Sequence, residues 1–501
     1  MRLLICHLAW LFVAGSALAV PVPLASYEGQ PVAGLGARAD LGSFGAKDSY
    51  GELSAVSVLC FLEGCPKGLA PVVFSGPLFW PLVSASPEKG VLKGLPEALA
   101  TFRADGKRVI VGVDLPASLA AFGARLPERY ERTALGWRRW SLTDSDGRGA
   151  PTWDGPFSEW LLDSLEAELA VVKGHSETAY EAIAGFSVAY SLEAEALEQL
   201  DYNPRYLSLW QSDWLPRYYT LEELGRQWFD DSSHYIDWNQ VAPIMASTEA
   251  DYTSDGARLA WRDWRAFLCE TRLRALEEFA KELRRIAPGK LVTLELEGPY
   301  MTAVAPDGSL ALQGEGILEA FDALSLNFAP EPNGALALRP EALRAWLTLM
   351  ARVAREAGIA LWVSRLAISG DRPELLSKAL DACQSAGASL VAVHFFDRSA
   401  RATRSEEQYR LQRGDSGFQL VERLVSSRPG WNPLSEPREA SLGIVYDTRG
   451  DTKSVWEVCQ WLTQAGVDFD LLLSGHIQST GGLERRALLL QVGDLPPAHT
   501  L

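Results

Sequence analysis

The chain has 501 residues, 47% hydrophobic and 22% charged, with a mean hydropathy of -0.03, which describes one large folded domain plus an appendage and excludes both a disordered chain and a multi-spanning membrane protein. A formal charge of -17 and a pI near 5.0 argue against nucleic acid as a partner, because a phosphate backbone is bound by a basic surface that displaces its counterions. Neutral or cationic ligands fit this balance better.

At the start, Met1 and Arg2 precede an apolar run from Leu3 to Val13, and Ala17-Leu18-Ala19 supplies the small-x-small pattern of a signal peptide cleaved after Ala19. An exported protein, periplasmic or extracellular, is therefore expected, with no membrane span left after cleavage, since the run is short for one. The mature chain then keeps Cys60, Cys65, Cys269, Cys383 and Cys459, an odd and scattered set that makes no disulfide framework. Cys60 and Cys65 lie close enough to bridge, but two separately buried thiols are the simpler expectation. None has metal-ligand spacing with a histidine, and no metal or organic cofactor is implied.

From there, short β-branched apolar segments alternate with longer amphipathic ones, the pattern of βαβ units around a parallel sheet. The first strand is expected at Val32 to Leu35, followed by a helix carrying Leu53, Val56 and Leu59 towards Lys67-Gly68. Further strands are expected at Val72 to Phe74, Val109 to Val113, Ile183 to Tyr190, Leu291 to Leu296, Ala323 to Asn327, Ile359 to Ser364 and Leu390 to Phe395. With the first, these make the eight of an α/β (β/α)8 TIM barrel spanning residues 20–430. Leu276, Phe279, Leu283 and Ile286 at helical spacing, stopped by Pro288-Gly289, define the helix before the fifth strand. Helices at about 341–357 and 373–386 separate the last three strands. A long insertion, Leu192 to Trp264, follows the fourth strand on the face where barrels keep their active sites.

After Pro429-Gly430-Trp431-Asn432-Pro433 the pattern restarts in a unit over residues 436–501, with strands at Leu442 to Tyr446, Phe469 to Leu473 and Ala487 to Leu490 and a helix around Trp456 to Leu462. Three strands are few for a free-standing sheet, so this small Rossmann-like α/β unit either packs on the barrel or is incomplete. The 17 tryptophans are well above the roughly one per cent usual in globular chains. Trp137, Trp140, Trp153, Trp160, Trp210, Trp214 and Trp228 crowd the middle of the chain, where flat apolar rings could stack on sugar rings, although for any single one packing is the simpler role.

The stretch Tyr219-Thr220-Leu221-Glu222-Glu223-Leu224-Gly225-Arg226-Gln227-Trp228, then Ser232 to Val241, resembles the segment after strand four in family 42 glycoside hydrolases, the β-galactosidase-type barrels. The likeness continues through Trp264 to Leu268, the strand from Leu291 to Gly298 and the segment Phe321 to Asn327, covering residues 70–400 or so. The C-terminal unit resembles the start of that family's trimerisation domain, which implies a homo-oligomer. The resemblance also implies a retaining mechanism, with an acid/base carboxylate at the end of strand four and a nucleophile at the end of strand seven. Such chemistry needs two carboxyl groups about 5 to 5.5 Å apart.

In the family, strand four runs into Asn-Glu. The matching run Gly185 to Ser191 sets Tyr190 in place of the Asn and Ser191 in place of the acid/base. Strand seven resembles Leu361-Trp362-Val363-Ser364, and the residue in the nucleophile position is Arg365. Guanidinium cannot act as a nucleophile and stays protonated at any working pH. A fixed positive charge about 4 Å from an oxocarbenium-like centre costs on the order of 4 kcal/mol at an effective dielectric near 20, roughly a thousandfold in rate. Loss of the proton donor adds about 10² to 10⁴ more. Strand two also lacks the family's arginine around Val73 to Ser75, which weakens any transfer of galactose recognition.

Glu193 and Glu195 lie just beyond Ser191, and a bulge would bring one of them to the acid/base position; their bland role is a solvated helix start. Glu295 and Glu297 share one face of strand five, so Glu297 could line the cleft or join an ion pair, with Arg365 as a candidate partner. Topology alone adds Trp80, Asp114, Asn327 and His394 as strand-end candidates for binding substrate, each equally compatible with satisfied structure. Three functions follow: an exported barrel that binds saccharide or polysaccharide with a degenerate catalytic site; an active glycosidase using Glu193 or Glu195 with Glu295 or Glu297; and an assembly scaffold. The tryptophans favour the first over the third.

Overall fold

The computed structural model describes residues 23–38, 72–78, 95–114, 156–190, 204–243, 254–297, 305–307, 309–328, 340–369, 373–396, 423–424, 426–428, 431, 440, 442–446, 458–459, 461–462, 465–473 and 488–491. Eight parallel strands close into a barrel: β1 (Gly34–Arg38), β2 (Val72–Leu78), β3 (Arg108–Asp114), β4 (Ile183–Tyr190), β5 (Leu291–Glu297), β6 (Ala323–Phe328), β7 (Ala360–Ser369) and β8 (Leu390–Phe396). Each pairs with the next in chain order, and β8 returns to β1 through Leu390 opposite Gly34. All eight expected strands are present. The first is displaced from Val32–Leu35 because Val32 is spent on the floor of the barrel, where it packs with Ala25 and Tyr27 and donates its N–H to Ala25.

Helices α1 (Leu95–Ala104), α2 (Pro156–His175) and α3 (Glu177–Ala182) lie before β3 and β4. The insertion contains α4 (Pro204–Leu209), a π-helical turn (Trp210–Trp214), α5 (Leu215–Tyr218) and α6 (Leu221–Phe229); α7 (Asp255–Ile286) leads into β5, and α8 (Pro340–Glu356) and α9 (Pro373–Ala386) precede β7 and β8. The amphipathic spacing of Leu95, Ala98, Leu99 and Phe102 in α1 carries its buried stripe onto the barrel's outer face. Gly289 and Gly358 turn the chain out of α7 and α8 with φ of 79° and 71°, a conformation that side chains with a Cβ adopt only under strain.

Outward residues of the strands (Val109, Val111, Phe186, Leu294, Leu324, Leu361) join the helices in one apolar core, while inward residues Phe74, Ile110, Leu291, Trp362 and Leu390 form a separate one inside the barrel. Period-2 alternation thus builds two cores from one strand set. A short antiparallel ribbon, Ser26–Tyr27 against Gln30–Pro31, closes the N-terminal end. The Tyr27 hydroxyl donates to the Ile183 carbonyl at 3.2 Å. The buried Lys290 ammonium donates to the Tyr27 oxygen (2.9 Å) and to the carbonyls of Ile183 (2.6 Å) and Tyr180 (3.2 Å).

The C-terminal strands β9 (Leu442–Tyr446), β10 (Phe469–Leu473) and β11 (Leu488–Gln491) form a parallel sheet with β9 in the centre. Leu442, Ile444, Phe469 and Leu471 belong to the same apolar core as the barrel's outer face. Arg344 of α8 ties the unit down through Asp470 (3.2 Å), Asp468 (2.6 Å) and the Phe469 carbonyl (2.6 Å). The sheet therefore packs on the barrel. The helix expected around Leu53 to Leu59 lies outside the described residues.

Candidate barrel-mouth site

On β4, β5 and β6 the described inward residues turn polar towards the C-terminal end of the barrel. Leu291, Thr293 and Glu295 share the inward face of β5, and small or polar residues flank Glu295 on both neighbours: Ser187 on β4, and Ser325 and Asn327 on β6. Glu295 is 2% exposed. Its Oε2 accepts from the Ser187 hydroxyl at 2.9 Å and its Oε1 from Asn327 Nδ2 at 2.9 Å. A buried carboxylate is tolerable only with such donors on each oxygen.

Arg365 is half-buried in β7, opposite Asn327 in the strand register. The expected end of this strand at Ser364 was too early, because β7 continues to Ser369 through a bulge. Leu326 pairs with Val363 but Asn327 with Arg365, and on the other side Val391 pairs with Val363 but Val393 with Leu366, so β7 carries one extra residue between outward-facing Val363 and Leu366. Ser364 and Arg365 occupy that gap. Ser364 is fully buried, with its hydroxyl donating to the Leu326 carbonyl at 3.3 Å. Bulges of this kind recur beside active sites because they re-aim a side chain without moving the sheet.

Of the other residues singled out from sequence, Asp114, Tyr190 and Glu297 are the last residues of β3, β4 and β5, and His394 stands in β8 opposite Ala367. Their backbones meet at the same end of the barrel as Asn327 and Arg365; Glu297 is the register partner of Asn327. Trp80, Trp153, Ser191, Glu193 and Glu195 lie outside the described residues. Sequence reasoning did not single out Ser187. Its signal was a polar residue at period two inside the otherwise apolar run of β4, matching Thr293 and Glu295 on β5.

The tryptophans of the insertion do not line this mouth. Trp210, Trp214 and Trp228 are 0%, 1% and 3% exposed and form the core of the insertion with Trp264, Phe267 and Leu224. Two buried carboxylates on α7 satisfy the polar edges: Asp263 accepts from the Tyr219 hydroxyl (2.8 Å) and Trp228 Nε1 (3.1 Å), and Glu270 from Trp214 Nε1 (2.8 Å) and Arg217 (3.0 Å). These three rings pack and do not stack on sugar; Trp137, Trp140 and Trp153, with the side chain of Trp160, lie outside the described residues.

An eight-stranded parallel barrel, a helical insertion after strand four and a small parallel sheet after strand eight together define a particular architecture. It is the fold of the family 42 β-galactosidases. Over 93% of this chain it matches the β-galactosidase of the psychrophilic Marinomonas ef1 with a TM-score of 0.57 at 15% identity, covering 73% of that protein. It matches the cold-adapted β-galactosidase of Rahnella sp. R3 over 94% of this chain and 68% of that one (TM-score 0.59, 14% identity), and a family 42 β-galactosidase from G. stearothermophilus over 93% and 69% (TM-score 0.57, 14% identity). No family model matches the sequence, and no curated protein matches it. Identity this low carries the fold and leaves the chemistry to the residues themselves.

Proposed function

We propose that this protein is an exported, carbohydrate-binding barrel that does not hydrolyse glycosides by its family's mechanism. One observation carries the reading: Arg365 stands on β7 at the barrel mouth, where the resemblance puts the nucleophile, in register with Asn327, whose amide donates to the buried Glu295. A permanent cation at that point opposes an oxocarbenium-like transition state and supplies no nucleophile. Glu295 cannot replace the missing carboxylate, because both of its oxygens are engaged and it is closed to solvent. What the mouth retains is a set of donors and acceptors that suits hydroxyl-bearing ligands, in keeping with the β-galactosidase-type fold. Export rests on the leader-like first 19 residues, and a homo-oligomer on the resemblance of residues 436–501 to a trimerisation domain.

The test is hydrolysis of nitrophenyl β-galactoside and related aryl glycosides by the mature protein, with Glu195→Gln assayed alongside and sugar binding followed by calorimetry. No turnover, with saccharide binding weakened by Arg365→Ala, is expected. Turnover abolished in Glu195→Gln would overturn the reading and place the proton donor just after Ser191.

A further inference from the structure

A cleft of about 840 Å³ lies between α6 and the start of α7, lined by Glu223, Arg226, Gln227, Phe229, Asp230 and Ser254 among others and by none of the barrel-mouth residues named above. Pockets that hold small ligands run from about 300 to 1,000 Å³. The polar groups around it divide into two sets. Those that build the fold are committed: Glu223 closes a capping box with Thr220, Ser254 caps α7, and Asp255 pairs with Arg258 at 2.9 Å. In the adjoining loop, Asp231 holds Ser233, Asp237 caps Asn239 and Gln240 accepts from the Ile236 N–H. By contrast, the side chains of Arg226, Gln227 and Asp230 make no hydrogen bond and no ion pair among the described residues.

Those three uncommitted groups are a donor-only guanidinium, an amide that both donates and accepts, and an acceptor-only carboxylate. They line the cleft with Phe229, which is 44% exposed and whose ring stacks on His234 at 3.8 Å and meets the edge of Tyr235 at 5.7 Å. We propose that this cleft is a second saccharide-binding site, separate from the barrel mouth. The choice of ligand follows from the charges. Glu223, Asp230 and Asp255 repel an anion; with Asp255 paired to Arg258 and Glu223 held by Thr220, the uncommitted Arg226 and Asp230 balance each other and suit a neutral polyol, whose hydroxyls accept from the guanidinium and donate to the carboxylate. Its apolar C–H face covers the phenyl ring. The volume accommodates two or three sugar rings, so the ligand class is a neutral oligosaccharide. This site stands apart from the reading of the barrel mouth, and either can fail without the other.

The experiment titrates the full-length mature protein with lactose, cellobiose, xylobiose, diacetylchitobiose and glycylglycine by calorimetry and saturation-transfer NMR. It compares the wild type with Phe229→Ala, the double variant Arg226→Ala with Gln227→Ala, and Arg365→Ala. The substituted cleft side chains are exposed or half-buried, so unfolding midpoints should match the wild type. At least one disaccharide is expected to show a binding event about tenfold weaker in Phe229→Ala and in the double variant and unchanged in Arg365→Ala, distinct from the barrel-mouth event that Arg365→Ala weakens. Three results overturn the proposal: no disaccharide binds; every binding event is unchanged in both cleft variants; or only glycylglycine binding responds to them, which would make the cleft a peptide site. Disaccharide binding lost in Arg365→Ala alone would also overturn it, while supporting saccharide binding at the barrel mouth.

Discussion

Asn327 is positioned to show what the polar layer contributes. Its amide is one of the donors that make the buried Glu295 carboxylate tolerable, and hydrogen bonds to charged groups are worth about 1.5 to 3 kcal/mol. Asn327→Ala should therefore cost about 2 kcal/mol, read as a lower urea midpoint. An unchanged midpoint would mean that Glu295 is held by other groups. At the opposite end of the barrel, burial pulls the Lys290 ammonium down to about 8 from the ordinary 10.5. Between pH 8 and 10.5 the unfolded chain thus binds more protons at this position than the folded one, so stability attributable to Lys290 rises with pH across that window. Burial also pushes the Tyr27 hydroxyl up to about 12, and that contribution falls as pH rises from 10 to 12. Subtracting the pH profile of Lys290→Met from that of the wild type isolates the lysine; a difference that is flat from pH 8 to 10 would contradict the assignment.

At the scale of elements, the long helix α7 does two jobs. Its first half places Ala260, Trp264 and Phe267 in the core of the insertion, and its second half places Leu276, Phe279 and Leu283 in the core of the barrel. A 32-residue helix is about 48 Å long, enough to join the two bodies as one rigid beam. The insertion closes on α7 where Gly256 meets the Trp228 backbone, with the carbonyl oxygen inside the space a Cβ would fill. Gly256→Ala should accordingly cost about 3 kcal/mol and loosen the aromatic cluster, visible as a red shift in tryptophan fluorescence. The helix itself was legible beforehand, since Leu276, Phe279, Leu283 and Ile286 keep helical spacing up to the Pro288-Gly289 stop. The bulge in β7 was not. An extra residue shows only against its neighbours β6 and β8, and it is the feature that sets Arg365 beside Asn327.

At the scale of the whole molecule, barrel and C-terminal sheet share one core, and Arg344 is a polar anchor between them among the described residues. Asp470 is fully buried and also accepts the Ala440 N–H at 2.8 Å. Arg344→Ala leaves that carboxylate without its cation, a loss of about 3 kcal/mol. The expected readout is earlier proteolysis of the C-terminal unit in a barrel that still unfolds cooperatively. Equal protection of both parts in the variant would show that apolar packing alone holds the unit in place.

Strand number and strand order were readable from the sequence because they rest on local signals. Period-2 alternation, helical stripes and turn residues each act within a few positions, and together they specify eight βα units whose strand ends converge. The assignment of Tyr190, Asn327 and Glu297 to strand ends followed from that count, whereas the place of Arg365 beside Asn327 came from the bulge in β7. The roles of individual side chains required tertiary structure. Trp210, Trp214 and Trp228 have the same composition signal whether they stack on sugar or pack together, and only their burial on α7 decided for packing. Likewise, Ser187, Glu295 and Asn327 come from three strands separated by 108 and 32 residues, so their hydrogen bonds exist only once the barrel closes and sets the register.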